Sequence, residues 1–162
     1  LNYAKLNRNI VLNGLSDAIT AYCVALAGHT AFDTFYVRRF SPGASLHALG
    51  KPIGQGDEAF EPRHRQGVLG ASLDDLVGQF GLPFPNHIKI DVDGIEEEIV
   101  AGAERTLDDV RLKSVLIEVY IHKGVAERIR DVFLVHGFTL HNADAARYVP
   151  GTAENFIYVR PG

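Results

Sequence analysis

The chain has 162 residues, of which 46 % are hydrophobic and 22 % are charged, and its formal net charge is −4. These values predict one globular domain over residues 1–162 with a buried core, and they argue against a general nucleic-acid binder because no basic face stands out. Cys23 is the only cysteine, which excludes an intrachain disulfide and metal–thiolate sites.

The compartment and the extent of the chain can also be inferred from what the sequence lacks. No apolar run approaches the roughly 20 residues of a membrane span, and no signal peptide is visible. With a single cysteine, this predicts a cytoplasmic protein that does not bind membranes. The sequence contains no methionine, so it does not begin at an initiator codon, and we expect it to be a piece of a longer protein.

The first half of the chain predicts one helix, two strands and a long loop. Apolar residues at helical spacing predict a helix that starts with Asn2 as its cap and ends near residues 13–14. Residues 19–27 are typical of a buried strand, and residues 32–40 predict a second strand. The segment 41–67 is rich in Gly and Pro, with little apolar periodicity, and predicts a loop that is functional or mobile.

The second half alternates strands with helices. Ser72, with an acid three residues later, predicts the cap of a helix with Leu73, Leu76, Val77 and Phe80 on its buried face. A strand at 88–92, a helix at 95–107, a strand at 114–121 and a helix at 125–133 follow, and the last two strands are expected at 138–141 and 156–159. This order predicts a mostly parallel, three-layer α/β sheet with an antiparallel strand at its edge.

The strand at 88–92 has an unusual charge pattern. Its apolar residues lie on one face, while Lys89, Asp91 and Asp93 lie on the other. Buried parallel strands are normally almost wholly apolar, and an ionised side chain inside a sheet costs several kcal/mol unless it is paired or faces a polar cleft. The strand therefore either lines a site or holds an internal ion pair.

Acids and a histidine gather where two strands end. Asp91 and Asp93 end the strand at 88–92, Glu118 interrupts the next strand, and His122 follows it. Ligands of open α/β sheets bind at the carboxyl ends of the strands, so these residues could converge on one site. Each also has a structural explanation: Asp93 could cap the following helix, Glu118 could pair with Lys89, and a lone loop histidine is weak evidence.

Three classes of function remain open on the residues alone. A metal-dependent enzyme could hold Mg²⁺ with Asp91, Asp93 and Glu118, whose carboxylates are hard oxygen ligands. A non-catalytic α/β module is the second class, and an enzyme with an acidic cleft and no metal is the third. No phosphate loop, zinc spacing or nucleophile elbow is present.

A family resemblance is carried by the strand and the helix that follows it. The letters IKIDVDGIE at 88–96, followed by IVAGA at 99–103 and TL at 106–107, resemble the central signature of the FkbM family of S-adenosylmethionine-dependent methyltransferases. Weaker matches occur in the same order at 3–15, 24–26, 43–46, 72–76 and 116–119. The resemblance implies a seven-stranded Rossmann-like sheet with an antiparallel last strand. The first strand of the family, its glycine-rich turn and helix, and the acid ending its second strand have no counterpart here.

The resemblance also implies a reaction and site residues. The reaction would transfer a methyl group from S-adenosylmethionine to a hydroxyl oxygen of a sugar, a natural product or another small molecule. Ala25 and Leu26 would contact the adenine of the cofactor, and Asp91 would lie where cofactor and substrate meet. Glu118 and His122 are alternative general bases. Asp93 and Glu96 would shape the turn beside the substrate, with Glu96 as a hydrogen-bonding partner.

Overall fold

The computed structural model describes residues 2–141 and 149–161 and contains a mixture of helices and strands. A short 3₁₀ turn, Gln55–Asp57, lies between the third and fourth strands. The helices are α1 Asn2–Leu12, α2 Leu73–Gly78, α3 Glu96–Ala101, α4 Glu104–Asp108 and α5 Val125–Val135. The strands are β1 Ala25–Leu26, β2 Ala31–Val37, β3 Ala48–Leu49, β4 His64–Ala71, β5 His87–Ile90, β6 Ser114–Tyr120, β7 Thr139–Leu140 and β8 Ala153–Val159.

The described strands form two sheets of four strands each. The first has the order β1-β4-β2-β3 and the second the order β5-β6-β8-β7. Only β1 with β4 and β5 with β6 pair in parallel, whereas the other four pairings are antiparallel. The protein is therefore a mixed α/β structure with two sheets in place of the single sheet that we expected. The last strand, β8, is antiparallel to both of its neighbours, as predicted, but it lies between β6 and β7 and not at the edge of the sheet.

The main core lies against one face of the second sheet. Val115, Ile117 and Val119 of β6 are buried, while the residues that alternate with them are only half-buried. Residues of α3, α4 and α5 complete the same apolar cluster, so these three helices pack on the same face of the sheet. The other face of β6 carries Glu118 and Tyr120, which leaves polar groups accessible at the carboxyl end of the strand.

Two predictions in the first half of the chain were wrong. The strand expected at 19–27 is reduced to Ala25–Leu26, because only these two residues pair with a neighbouring strand. The loop expected at 41–67 contains β3, the 3₁₀ turn and the first half of β4. The first four residues of β4 are exposed on both faces, so this strand has no apolar alternation that could reveal it.

The helix expected at 95–107 is broken into α3 and α4. Gly102 lies between them, and a Cβ atom at this position would come within 2.8 Å of the carbonyl oxygens of Ala27 and Gly28. The chain therefore turns where it touches the loop after β1, a contact between residues more than seventy positions apart.

The helix ends follow local sequence signals only in part. The Ser72 hydroxyl accepts a hydrogen bond from the Asp75 N–H at 3.2 Å, which confirms the predicted cap of α2. Asn2 is instead the first residue of α1, and its side chain binds the loop at Gly43 and Ala44. The connection between the last two strands includes residues 142–148, which lie outside the described residues. No helix in the described part of the chain is long and apolar enough to cross a membrane.

Candidate functional site

The carboxyl ends of β5 and β6 bring Asp91 and Glu118 together. The parallel register pairs Ile90 with Ile117, so Asp91 and Glu118 are the next residues along neighbouring strands. Asp91 lies just after β5, not within the strand as predicted. Its carboxylate forms an ion pair of 2.7 Å with Lys89, and both side chains are about half exposed or more. The ion pair is therefore exposed, and the internal ion pair that was one of the two alternatives is wrong.

Glu118 lies in a negative environment. Partial burial raises the pKa of its carboxyl, and the nearby charges of Asp91 and Asp93 raise it further, whereas Lys89 opposes the shift. Glu118 is thus not simply the ion-pair partner of Lys89, which contacts Asp91 more closely. A group held above its ordinary pKa by neighbouring carboxylates marks a place where a cation would be stabilised.

Asp93 connects the strand end to two distant loops. Its Oδ2 accepts a hydrogen bond of 2.8 Å from the Leu46 N–H, and its Oδ1 accepts one of 3.4 Å from the Gln55 side-chain amide. The cap position of α3 is Ile95, with no side-chain cap, so Asp93 does not serve as the helix cap. It anchors the segments around residues 46 and 55 to the edge of the sheet.

The turn into α3 contains the most deeply buried acid of this region. Gly94 has a φ of 115°, a backbone angle that residues with a side chain rarely adopt. Its N–H donates a hydrogen bond of 3.1 Å to Glu96 Oε1. Glu96 is only 4 % exposed. Burial raises the pKa of its carboxyl from 4.5 to about 7, with smaller contributions from Asp93 and Glu98, although two backbone N–H groups oppose the change.

A cavity of about 230 Å³ opens beside Glu96. Tyr120 and His122 line it from the end of β6, and the first turn of α5 and the segment 54–57 close its other sides. The Nε2 atom of His122 lies 3.4 Å from Asp57 Oδ2, while its Nδ1 atom is buried and has no hydrogen-bond partner in the described structure.

Apart from Glu98, which is exposed, the other charged groups around this cavity are paired. Lys123 forms an ion pair with Asp57, and hydrogen bonds from Lys123 and His122 lower the pKa of the Asp57 carboxyl. Arg128 holds Glu97 through two hydrogen bonds of 2.7 and 2.9 Å. These pairs neutralise the two cations of the wall, so the cavity offers no free positive charge from them to an anion.

The predicted adenine contacts lie apart from the acids. Ala25 lines a second cavity of about 220 Å³ that also has four aromatic side chains in its wall: Tyr3, Tyr22, Phe35 and Phe40. Leu26 points to the opposite side and packs among the apolar residues of the main core. The structure therefore brings Asp91 close to Glu118, and it places Glu96 and His122 in the wall of the same cavity. Ala25 and Leu26 lie on different sides of β1.

Several residues of this region were missed by the sequence reasoning. No local sequence pattern marks Asp57, Lys123, Tyr120 or Arg128. Asp57, for example, is about 65 positions away from its partners His122 and Lys123. The burial of Glu96 was also missed, since its three-acid run is typical of a solvated first helical turn. Among the described residues, no group of three or more His, Cys, Asp or Glu side chains could hold a metal ion. The proposed Mg²⁺ ligands, Asp91, Asp93 and Glu118, therefore form no such group in the described structure.

The acidic groups of this chain lie at the carboxyl ends of two parallel strands, where ligands bind in open α/β sheets. The sequence model of the family described as Methyltransferase FkbM domain matches residues 1–140. The chain belongs to this family, which supports a methyltransferase function. Neither the curated proteins nor the solved structures gave a match to the chain.

Proposed function

We propose that the protein is an S-adenosylmethionine-dependent methyltransferase that methylates a hydroxyl oxygen of a saccharide or another small molecule. The observation that carries this proposal is the negative edge formed by Asp91 and Glu118 at the ends of β5 and β6. The family membership supports the reaction class. The two sheets would belong to one Rossmann-like, three-layer domain, and we expect the protein to act in the cytoplasm.

The chemistry of the residues fits the proposed cofactor. S-adenosylmethionine supplies an electrophilic methyl group on a positively charged sulfur. Asp91 and Glu118 would stabilise that positive charge, because their carboxylates already repel one another. The cavity at Ala25 has aromatic walls suited to a flat purine ring.

The residues of the chain would contribute alignment and proton transfer. Asp91 would hold the acceptor hydroxyl against the cofactor, since its carboxylate is half exposed at the strand end. Fixing two reactants at near-attack distance removes several kcal/mol of entropic barrier. Glu118 and His122 would be the alternative acceptors of the hydroxyl proton, a role that contributes about 10²–10⁴-fold in rate.

Binding and transfer measurements test this proposal. Isothermal calorimetry with S-adenosylmethionine should detect binding, and radiolabelled methyl groups should move to at least one member of a panel of monosaccharide glycosides. Asp91→Asn should abolish most of the transfer, whereas Asp131→Asn, a change at the exposed ion pair with Arg130, should leave it unchanged. Absence of both cofactor binding and transfer would contradict the proposal and favour a non-catalytic module.

A further inference from the structure

Glu96 differs from the other acids around the 230 Å³ cavity. Asp57, Glu97 and Glu98 also line it, but Lys123 holds Asp57, Arg128 holds Glu97, and Glu98 is exposed. Glu96 is buried and has no ion-pair partner among the described residues. A buried carboxyl without a cation is costly, and the main-chain N–H groups around it compensate only in part.

The hydrogen bonds of Glu96 leave room for a ligand. The donors that face its carboxyl are the N–H groups of Gly94 and of Glu96 itself. Within the described part of the chain, no side chain donates a hydrogen bond to it. A carboxylate can accept about four hydrogen bonds, so a hydroxyl group in the cavity would meet an unused acceptor.

His122 lines the same cavity, and one of its ring nitrogens has no hydrogen-bond partner in the described structure. Asp57 contacts its Nε2 atom at 3.4 Å, while the buried Nδ1 atom has no partner in the described structure. Buried polar atoms are normally hydrogen-bonded, and an orphaned one calls for an explanation such as a missing ligand. The Tyr120 ring, 6.0 Å from the imidazole between ring centroids, adds a flat apolar wall on which a small polyol could pack.

We propose that this cavity holds the methyl acceptor and that Glu96, in place of the Glu118 and His122 named above, takes the proton of its hydroxyl group, an inference that rests on the proposed methyltransferase function. The acceptor oxygen forms a bond to the methyl carbon, the carbon–sulfur electron pair leaves with the sulfur, and the hydroxyl proton moves to the Glu96 carboxylate. His122 positions the acceptor from the wall of the cavity. The acceptor is uncharged, because Lys123 and Arg128 are already neutralised and could not bind an anion without breaking their ion pairs.

The charged surroundings of Glu96 set its working range of pH. Asp93 and Glu98 face it with negative charge. The other titratable groups of the cavity wall are Asp57, Glu97, Tyr120, His122, Lys123 and Arg128. The pKa of about 7 makes Glu96 partly deprotonated at neutral pH, which suits a general base. The rate should therefore rise with pH through neutrality as the carboxylate forms.

Glu96→Gln tests the role, because its amide oxygen can still accept the Gly94 hydrogen bond. With the glycoside that takes up labelled methyl, this variant should lower kcat by about 10²–10⁴-fold and lose the inflection near pH 7. His122→Gln should raise KM but keep the inflection. Glu104→Gln, at the exposed start of α4, is the matched control and should behave like the wild type.

The outcomes separate this inference from the proposed function. If the wild type transfers methyl groups and Glu96→Gln keeps the rate and the inflection, Glu96 is not the base. The same conclusion follows if the inflection disappears in His122→Gln alone. If the wild type neither binds S-adenosylmethionine nor transfers methyl groups, the proposed function is wrong, and the inference about Glu96 is wrong as well.

A measurement on the wild type covers the case in which Glu96→Gln does not fold. In protein carrying ¹³C-labelled glutamate, one side-chain carboxyl resonance should titrate near pH 7, and methyl α-glucoside should shift that resonance. If every glutamate carboxyl titrates below pH 6, the inference is overturned regardless of activity.

Discussion

Replacing Glu96 by glutamine should stabilise the folded protein at pH 8 more than at pH 5. The Glu96 carboxyl has a pKa of about 7 in the folded protein because it is buried, against an ordinary value of 4.5. A folded-state pKa above the unfolded value means that the folded protein binds more protons between these two values. Its free energy of unfolding therefore falls as the pH rises from about 4.5 to about 7.

The size of this effect follows from the two pKa values. Each unit of pKa corresponds to 1.36 kcal/mol, so burying the ionised carboxylate costs about 3 kcal/mol once the pH is well above 7. At pH 5 the cost is below about 1 kcal/mol, because the folded group is still protonated. Glutamine carries no charge at either pH. Any other effect of the amide on stability is the same at both pH values. Relative to the wild type, the free energy of unfolding of the variant should therefore increase by about 2 kcal/mol more at pH 8 than at pH 5.

Urea unfolding followed by circular dichroism at both pH values measures this difference. The Glu104→Gln control should show no dependence on pH relative to the wild type, since Glu104 is exposed. An equal free-energy change for Glu96→Gln at pH 5 and pH 8 would refute the reasoning. It would mean that the folded protein does not bury a charged carboxylate at this position.

The other predictions concern packing, capping and catalysis. Gly102→Ala should destabilise the protein by about 1–3 kcal/mol, because the new Cβ would lie 2.8 Å from two backbone carbonyl oxygens; the melting temperature should fall by about 2–4 °C per kcal/mol. Gly78→Ala, in the last turn of α2 with open space around it, should instead raise stability by about 0.5–1 kcal/mol. Ser72→Ala should cost about 1 kcal/mol in urea unfolding through loss of the cap. Asp91→Asn should still bind S-adenosylmethionine in calorimetry but lose most methyl transfer; full activity would contradict its proposed role.

Local periodicity was a reliable guide wherever an element buries one face. The apolar stripe of α5 and the β-branched apolar run of β6 predicted these elements close to their observed bounds. The pairing of β5 with β6 also followed, because a strand, a helix and a strand in succession commonly place parallel strands side by side. The prediction that acids would gather at this edge depended on that pairing alone.

The predictions failed where an element has no buried face of its own or depends on distant residues. The first half of β4 is exposed on both sides, and the break at Gly102 comes from contact with the loop after β1. In both cases the cause lies in pairing or packing with residues far away in the sequence. A window of ten to fifteen residues contains no trace of such contacts.

The sequence by itself determined the membership in the methyltransferase family, the main helices and the neighbouring positions of Asp91 and Glu118. These features depend on residue order within short segments, where side-chain period and strand succession are decisive. Only the tertiary structure decided that Glu96 is buried, that Asp57 reaches His122, and that Lys123 and Arg128 are already paired. Burial, electrostatic environment and pKa depend on what surrounds a side chain in space. At this cavity, the surroundings come from segments more than 60 positions apart, such as those of Asp57 and His122.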